Sequence, residues 1–264
     1  MGVSNIESAT LRLTRNLAPL RVRKLHLNDI TDALRAGFED WRACGTYAVT
    51  FAVVLPMATA FVGAAVAAPY FIPFLLPILS GLALLGPLST LWFAALSRAR
   101  ERDPAATMED ATAVFDTPRR ITLQRLSFIA VVLFLAWIAV AWGIYHVTLG
   151  ETPSPQPLFL RMFTTAAGWE MVSAGTIIGV GFAFLMLAIG LVSFSLALDR
   201  DITTLQAIST SLSAVAHNLT FALVWGALVT AGLVIGMLPG LLGLAVVVPI
   251  FGHATWHVYR RTIR

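Results

Sequence analysis

The sequence is short of charge. Of its 264 residues only 12% are Asp, Glu, Lys or Arg, while 58% are apolar. Soluble domains carry about 25% charged residues, so this chain cannot cover a water-facing globule. Soluble, disordered and fibrous classes are excluded on that ground. Lysine occurs once, at Lys24, and there is no Gly-rich phosphate loop of the Walker type around it. Cysteine also occurs once, at Cys44, which excludes an intrachain disulfide and a Cys-rich metal cluster. Neither an HExxH nor a GxSxG motif is present, so zinc-protease and serine-hydrolase readings have no motif to stand on.

What is present is long apolar sequence. No charged residue interrupts Ala43–Ser97, Leu126–Gly150, Met171–Leu198 or Ile202–Tyr259. A membrane span takes roughly 20 apolar residues. The first run therefore holds two spans, at 46–67 and 71–97, divided near Ala68-Pro69. The second and third hold one each. In the last run Ile202–Asn218 is rich in Ser, Thr and Gln, and 219–259 fits two spans joined at Met237–Gly240. The expected fold is all-α: a polytopic membrane bundle of six transmembrane helices. Pro73, Pro77 and Gly86-Pro87 predict a kink in the second span.

With six spans, seventeen of the eighteen Lys and Arg fall on one side, and only Arg161 falls on the other. The positive-inside rule then puts both termini in the cytoplasm. The net charge of +4 reflects this topology. No basic patch is interleaved with stacking aromatics, so nucleic acid is not an expected partner. The lipid bilayer is, together with other membrane proteins or further copies of the chain. Residues 1–24 read as a flexible basic cytoplasmic tail and 25–264 as the membrane domain.

Three amphipathic cytoplasmic helices are expected at the membrane interface, each ahead of a pair of spans. The first, 28–42, carries Ile30, Leu34, Phe38 and Trp41 on one stripe. The second, 107–117, opens with a capping-box pattern at Thr107–Asp110 and places Met108, Ala111 and Phe115 together. The third, 203–217, starts with Thr203 and Gln206 at cap spacing and carries Leu205, Ile208, Leu212 and Val215. This is the plan of a threefold repeat of helix, span, span. On the outer side, Pro153, Pro155 and Pro157 precede a short apolar segment with Leu158, Phe159, Met162 and Phe163, expected to lie on the membrane surface.

All 14 acids fall in tails, loops or span ends, which argues against a proton-coupled carrier using intramembrane carboxylates. Among the histidines, His253 and His257 share one helix face at i,i+4 spacing. They lie at the depth of Asp199, Arg200 and Asp201, which end the fourth span. These five residues form the candidate polar centre, with an aspartate pairing to one of the imidazoles and holding the fourth and sixth spans together. No cofactor is expected. A metal or haem at the His253/His257 pair would lack the three or four ligands such groups usually take. Gly175, Gly179, Gly181, Gly232 and Gly236 offer sites of close helix approach.

Several segments resemble one family. These are Asp29–Asp40, Gly81–Leu88, Ser193–Asp201, Ala216–Asn218 and Leu244–Arg260. Together they resemble the proteobacterial predicted integral membrane proteins known as domain of unknown function 2189, over residue 21 to the C-terminus. The resemblance implies a bacterial inner-membrane protein without implying an activity. The leading functional expectation is a non-enzymatic scaffold, assembly factor or accessory subunit. A transporter or channel for a neutral or lipid-like molecule is the alternative, and a lipid-headgroup enzyme at the cytoplasmic face is third.

Overall fold

A computed structural model describes residues 20–67, 72–150 and 156–263. Among the described residues helices predominate, and the one β-type pairing is an antiparallel bridge between Val22 and Ile263. In chain order the α-helices are α1 (Asn28–Cys44), α2 (Tyr47–Ala67), α3 (Ile72–Gly81), α4 (Gly86–Ser89), α5 (Leu91–Arg102), α6 (Met108–Thr112), α7 (Arg119–Tyr145), α8 (Leu158–Thr164), α9 (Ala166–Gly190), α10 (Ser193–Asp199), α11 (Thr204–His217), α12 (Leu219–Met237) and α13 (Leu244–Thr262).

Among the described residues, four helical stretches are long and apolar enough to cross a membrane: Pro77–Arg102, Arg119–Gly150, Ala166–Asp199 and Leu219–Met237. Helix α2, Tyr47–Ala67, is 21 residues long and apolar at Thr50–Phe61. Helix α13 starts apolar but ends in His253, His257, Arg260 and Arg261, which lowers its mean hydropathy. The expected junction at Ala68-Pro69 lies outside the described residues.

The second expected span is broken, as its prolines predict. A 3-10 segment, Leu82–Leu85, interrupts it between α3 and α4. A break in an apolar environment must still satisfy its backbone carbonyls. The carbonyl of Pro77 accepts from Ser80 Oγ at 3.1 Å and from Trp137 Nε1 of α7 at 2.9 Å. Gly81 makes that approach feasible, because a Cβ there would stand 2.9 Å from Trp137 and 2.8 Å from Phe134.

Helix α13 is the hub at the arginine-rich end. Its Ala254, Trp256, Val258 and Tyr259 are all fully or nearly fully buried. Helix α1 lies along it, closed at its C-terminus by Gly45 at φ 61. The crossing is tight: a Cβ on Gly37 would sit 2.6 Å from the Ala254 nitrogen. This rotates α1 relative to the expected stripe. Ile30, Ala33 and Gly37 are buried, whereas Phe38 is exposed and tilts against Trp41 at 5.5 Å. Helix α11 does the same, burying Ala207, Thr210, Ser211, Ala214 and Val215 while Leu205 and Leu212 stay exposed. Small residues permit close backbone approach, so the packed faces combine Ala33, Gly37, Ala207 and Ala214 with Ile30 and Val215, while Phe38, Leu205 and Leu212 turn out.

The expected helix starts are present. Thr107 and Asp110 form a reciprocal capping box, and Thr203 Oγ1 accepts from the Gln206 nitrogen at 3.2 Å. Helix α8 buries Met162 and exposes Phe159, Leu160 and Phe163, as a surface-lying segment should. Gly232 and Gly236 face Phe251, Val247 and Leu244 of α13, so that pair serves packing within the chain.

Residues 20–24, expected as part of the flexible tail, are stitched down. The Arg23 nitrogen donates to the Thr262 carbonyl at 2.9 Å, and the Leu20 nitrogen to Thr210 Oγ1 at 3.1 Å. Asn218 completes the seam. It accepts from the Leu25 nitrogen at 2.6 Å and donates to the carbonyls of Arg23 and Ala214, each at 3.1 Å. Residues 1–19 of that tail lie outside the described residues.

Candidate functional site

Three of the five expected residues, His253, His257 and Asp199, are drawn into two adjoining polar clusters on α13. The first centres on Asp40, near the end of α1. Asp40 Oδ2 lies 2.9 Å from His257 Nε2 and 2.5 Å from Ser97 Oγ, and Ser97 Oγ lies 2.8 Å from His253 Nδ1. Arg100 Nε stands 3.7 Å from Asp40 Oδ1. A carboxylate can only accept, so His257 Nε2 carries a proton toward it and the single hydroxyl proton of Ser97 points the same way. His253 Nδ1–H is then the donor to Ser97. That leaves His253 Nε2 as a lone pair, buried and without a hydrogen-bond partner among the described residues.

An Asp–His pair therefore exists, but its carboxylate is Asp40 rather than Asp199 or Asp201. The reason is geometric. The α1–α13 crossing at Gly37 and Ala254 brings Asp40 one turn further on to the level of His257. Meanwhile Asp199 is engaged from another part of the same helix.

Asp199 is the centre of the second cluster. Its Oδ2 accepts from the Tyr259 hydroxyl at 2.8 Å and lies 3.7 Å from Arg260 Nη1. Its Oδ1 lies 3.7 Å from Arg98 Nε and 4.0 Å from Arg102 Nη2. Arg98 is 7% exposed, and a guanidinium so placed needs a counter-charge. Glu101 extends the cluster, accepting from Arg260 Nε and from Trp256 Nε1, each at 3.0 Å. The fourth and sixth expected spans are thus joined at this depth, through Tyr259 and Arg260 rather than through a histidine. Arg200 and Asp201 flank the cluster in the extended link to α11.

Burial works to raise the Asp40 carboxyl, but the hydrogen bonds from His257 and Ser97 and the nearby imidazoles outweigh it. Asp40 therefore stays ionised to lower pH than an ordinary carboxyl. Cys44, four residues on, goes the other way: burial pushes its thiol up to about 11, making it a poor nucleophile at neutral pH.

Carboxylate, serine and histidine in contact invite comparison with a hydrolytic triad, and the order excludes it. In a triad the imidazole stands between nucleophile and carboxylate. Here Ser97 stands in the middle, spends its proton on the carboxylate and is 2% exposed. Among the described residues no group of three His, Cys, Asp or Glu side chains could hold a metal ion. What the arrangement does chemically is hold α1, α5, α10 and α13 to one another.

Sequence reasoning missed Asp40, Ser97, Glu101 and Tyr259 as members. Asp40 had a visible signal, since it is the acid at the end of an amphipathic helix one turn from Gly37. Ser97 had another, as the last residue before the first arginine of the second span.

These features define a helical integral membrane protein whose polar residues close one end of the bundle. Residues 75–199 match the family described as predicted integral membrane protein, domain of unknown function 2189. The match takes in Gly81–Leu88, Ser97 and Asp199, while Asp40, His253 and His257 lie beyond it, so it is shorter than the expected reach from residue 21 to the C-terminus. No curated protein and no solved structure matches the chain.

Proposed function

We propose that the chain is a six-span bacterial inner-membrane protein with cytoplasmic termini, acting as a non-enzymatic scaffold or accessory subunit of a membrane complex. Helices α2 and α13 supply the two spans beyond the four long apolar stretches. Helices α1, α6 with its 3-10 extension, and α11 each precede a pair of spans, in keeping with a threefold plan.

The observation that carries the scaffold reading is the outward face of α9. Ile177, Gly181 and Leu185 form one i,i+4 ridge, with both large side chains exposed. Gly181 notches that ridge, and no atom outside its own helix lies within 4 Å of where its Cβ would stand. In lipid, helices associate through packing at small residues rather than through a hydrophobic driving force. A notch flanked by branched side chains is the shape that a neighbouring span fills.

Purification in mild detergent tests this. The wild-type chain should retain a defined membrane-protein partner or a second copy, and Gly181→Leu should lose it with the thermal midpoint unchanged. A monomer that carries lipid alone, from wild type and variant alike, would overturn the reading. The alternative, carriage of a neutral or lipid-like molecule, has one observation in its favour: the broken second span between Gly81 and Gly86.

A further inference from the structure

Between α5 and α7, at the arginine-rich end, lies an open groove of about 360 Å³. Leu91 and Leu123 form its floor, 7% and 2% exposed. Phe115 is a wall, held by Trp92 at 5.1 Å between ring centroids. The other wall is the polar edge of α7, where Arg120, Gln124 and Ser127 follow at i, i+4 and i+7.

That polar edge is unusual for its place. It lies on the first turns of an apolar stretch, Arg119–Gly150, whose neighbouring outward residues are Ile121 and Phe128, 52% and 69% exposed. Ser127 turns its hydroxyl back to the Leu123 carbonyl at 2.8 Å. Among the described residues Arg120 has no carboxylate within ion-pair distance, and the Gln124 amide has no partner. By contrast, Arg98, Arg100, Arg102 and Arg260 all have acids within 4.0 Å.

We propose that this groove binds an anionic phospholipid of the arginine-rich leaflet. The acyl chain lies over Leu91 and Leu123 against Phe115. Arg120 takes the phosphate, and Gln124 donates to the glycerol or ester oxygens. The occupant is a lipid because the groove lies between two stretches long and apolar enough to cross a membrane, Pro77–Arg102 and Arg119–Gly150, where lipid is the available molecule. It is an anionic one because the exposed Arg120 guanidinium at the mouth has no acid within ion-pair distance among the described residues, and a guanidinium pairs well with a phosphate. The site is independent of the scaffold reading and stands or falls on the purified protein alone.

Delipidated protein is titrated with phosphatidylglycerol and, separately, with phosphatidylethanolamine of the same chains, with bound lipid counted by native mass spectrometry. Wild type should bind one phosphatidylglycerol at least tenfold more tightly than phosphatidylethanolamine. Arg120→Gln should reduce that preference to twofold or less. Ser127→Phe, which fills the groove from its wall, should weaken both lipids. Arg125→Gln, on the same helix but outside the groove, should leave the preference intact, and unchanged circular dichroism and thermal midpoint certify each variant. Equal binding of the two lipids by wild type would overturn the site. So would an Arg125→Gln effect as large as that of Arg120→Gln, since the preference would then come from diffuse positive charge.

Discussion

Asp40 and His257 are 217 positions apart, yet Oδ2 of one lies 2.9 Å from Nε2 of the other. Their contact closes the chain on itself, tying the first described helix to the last. With Ser97 donating to the same oxygen, one carboxylate holds three helices at the arginine-rich end of the bundle.

This clasp should show as energetic coupling. Asp40→Asn and His257→Gln each remove one side, and the double variant should lose less stability than the sum of the two. Groups sharing one network couple by about 0.5–3 kcal/mol. Both side chains are only about one-fifth exposed, 19% and 23%, which argues against the near-zero values of surface pairs. Thermal unfolding in detergent measures it. Strict additivity would show that the pair is incidental to stability.

Helix α1 depends on a small residue. Gly37→Leu drives a side chain into Ala254, where even a Cβ would be 2.6 Å from backbone. Overpacking of this kind costs about 1–3 kcal/mol. Phe38→Ala, at the exposed neighbouring position, should cost far less. If Phe38→Ala lowers folded yield as much as Gly37→Leu, the helix is docked by its large apolar stripe instead.

That contrast marks where the sequence was legible. Helix positions followed from charge-free runs and cap spacing, and the break near Gly81 followed from its prolines. The docking face of α1 was legible only in part, because hydrophobic periodicity selects Ile30, Leu34, Phe38 and Trp41, of which Ile30 is buried and Leu34 packs against the core while Phe38 is exposed. Ala33 and Gly37 gain close packing by facing α13, and that leaves Phe38 on the outer side of the helix. The candidate site was legible in its depth and its residue types. Its pairing was not, since which acid meets His257 depends on which helices are neighbours, and that is set by the Gly37–Ala254 crossing. Helix α11 repeats the lesson with Ala207 and Ala214 buried beneath exposed Leu205 and Leu212.

Acid should loosen the clasp. The Asp40 carboxyl is held below its ordinary value. A depressed carboxyl stabilises the fold above its unfolded pKa, about 3.9, and that contribution is lost as pH falls through the lower folded value. The difference in thermal midpoint between wild type and Asp40→Asn should therefore be constant from pH 7 down to about 5 and shrink toward zero in stronger acid. A difference that persists undiminished below pH 3 would mean that the charge of Asp40 does not contribute.

Topology is the remaining prediction. Seventeen of eighteen basic residues share one side when six spans are drawn, and α8 with its exposed Phe159 and Phe163 falls on the other. A cysteine at Thr164, exposed on α8, should react in intact cells with a thiol reagent that cannot cross the membrane. A cysteine at Thr31, exposed on α1, should react only after the membrane is opened. Both substitutions belong in a Cys44→Ser background, although burial pushes the Cys44 thiol up to about 11 and leaves it weakly reactive. Labelling of Thr31→Cys in intact cells would reverse the orientation. Labelling of both positions from outside would require an odd number of spans between α1 and α8 to become even, and so would remove the six-span arrangement.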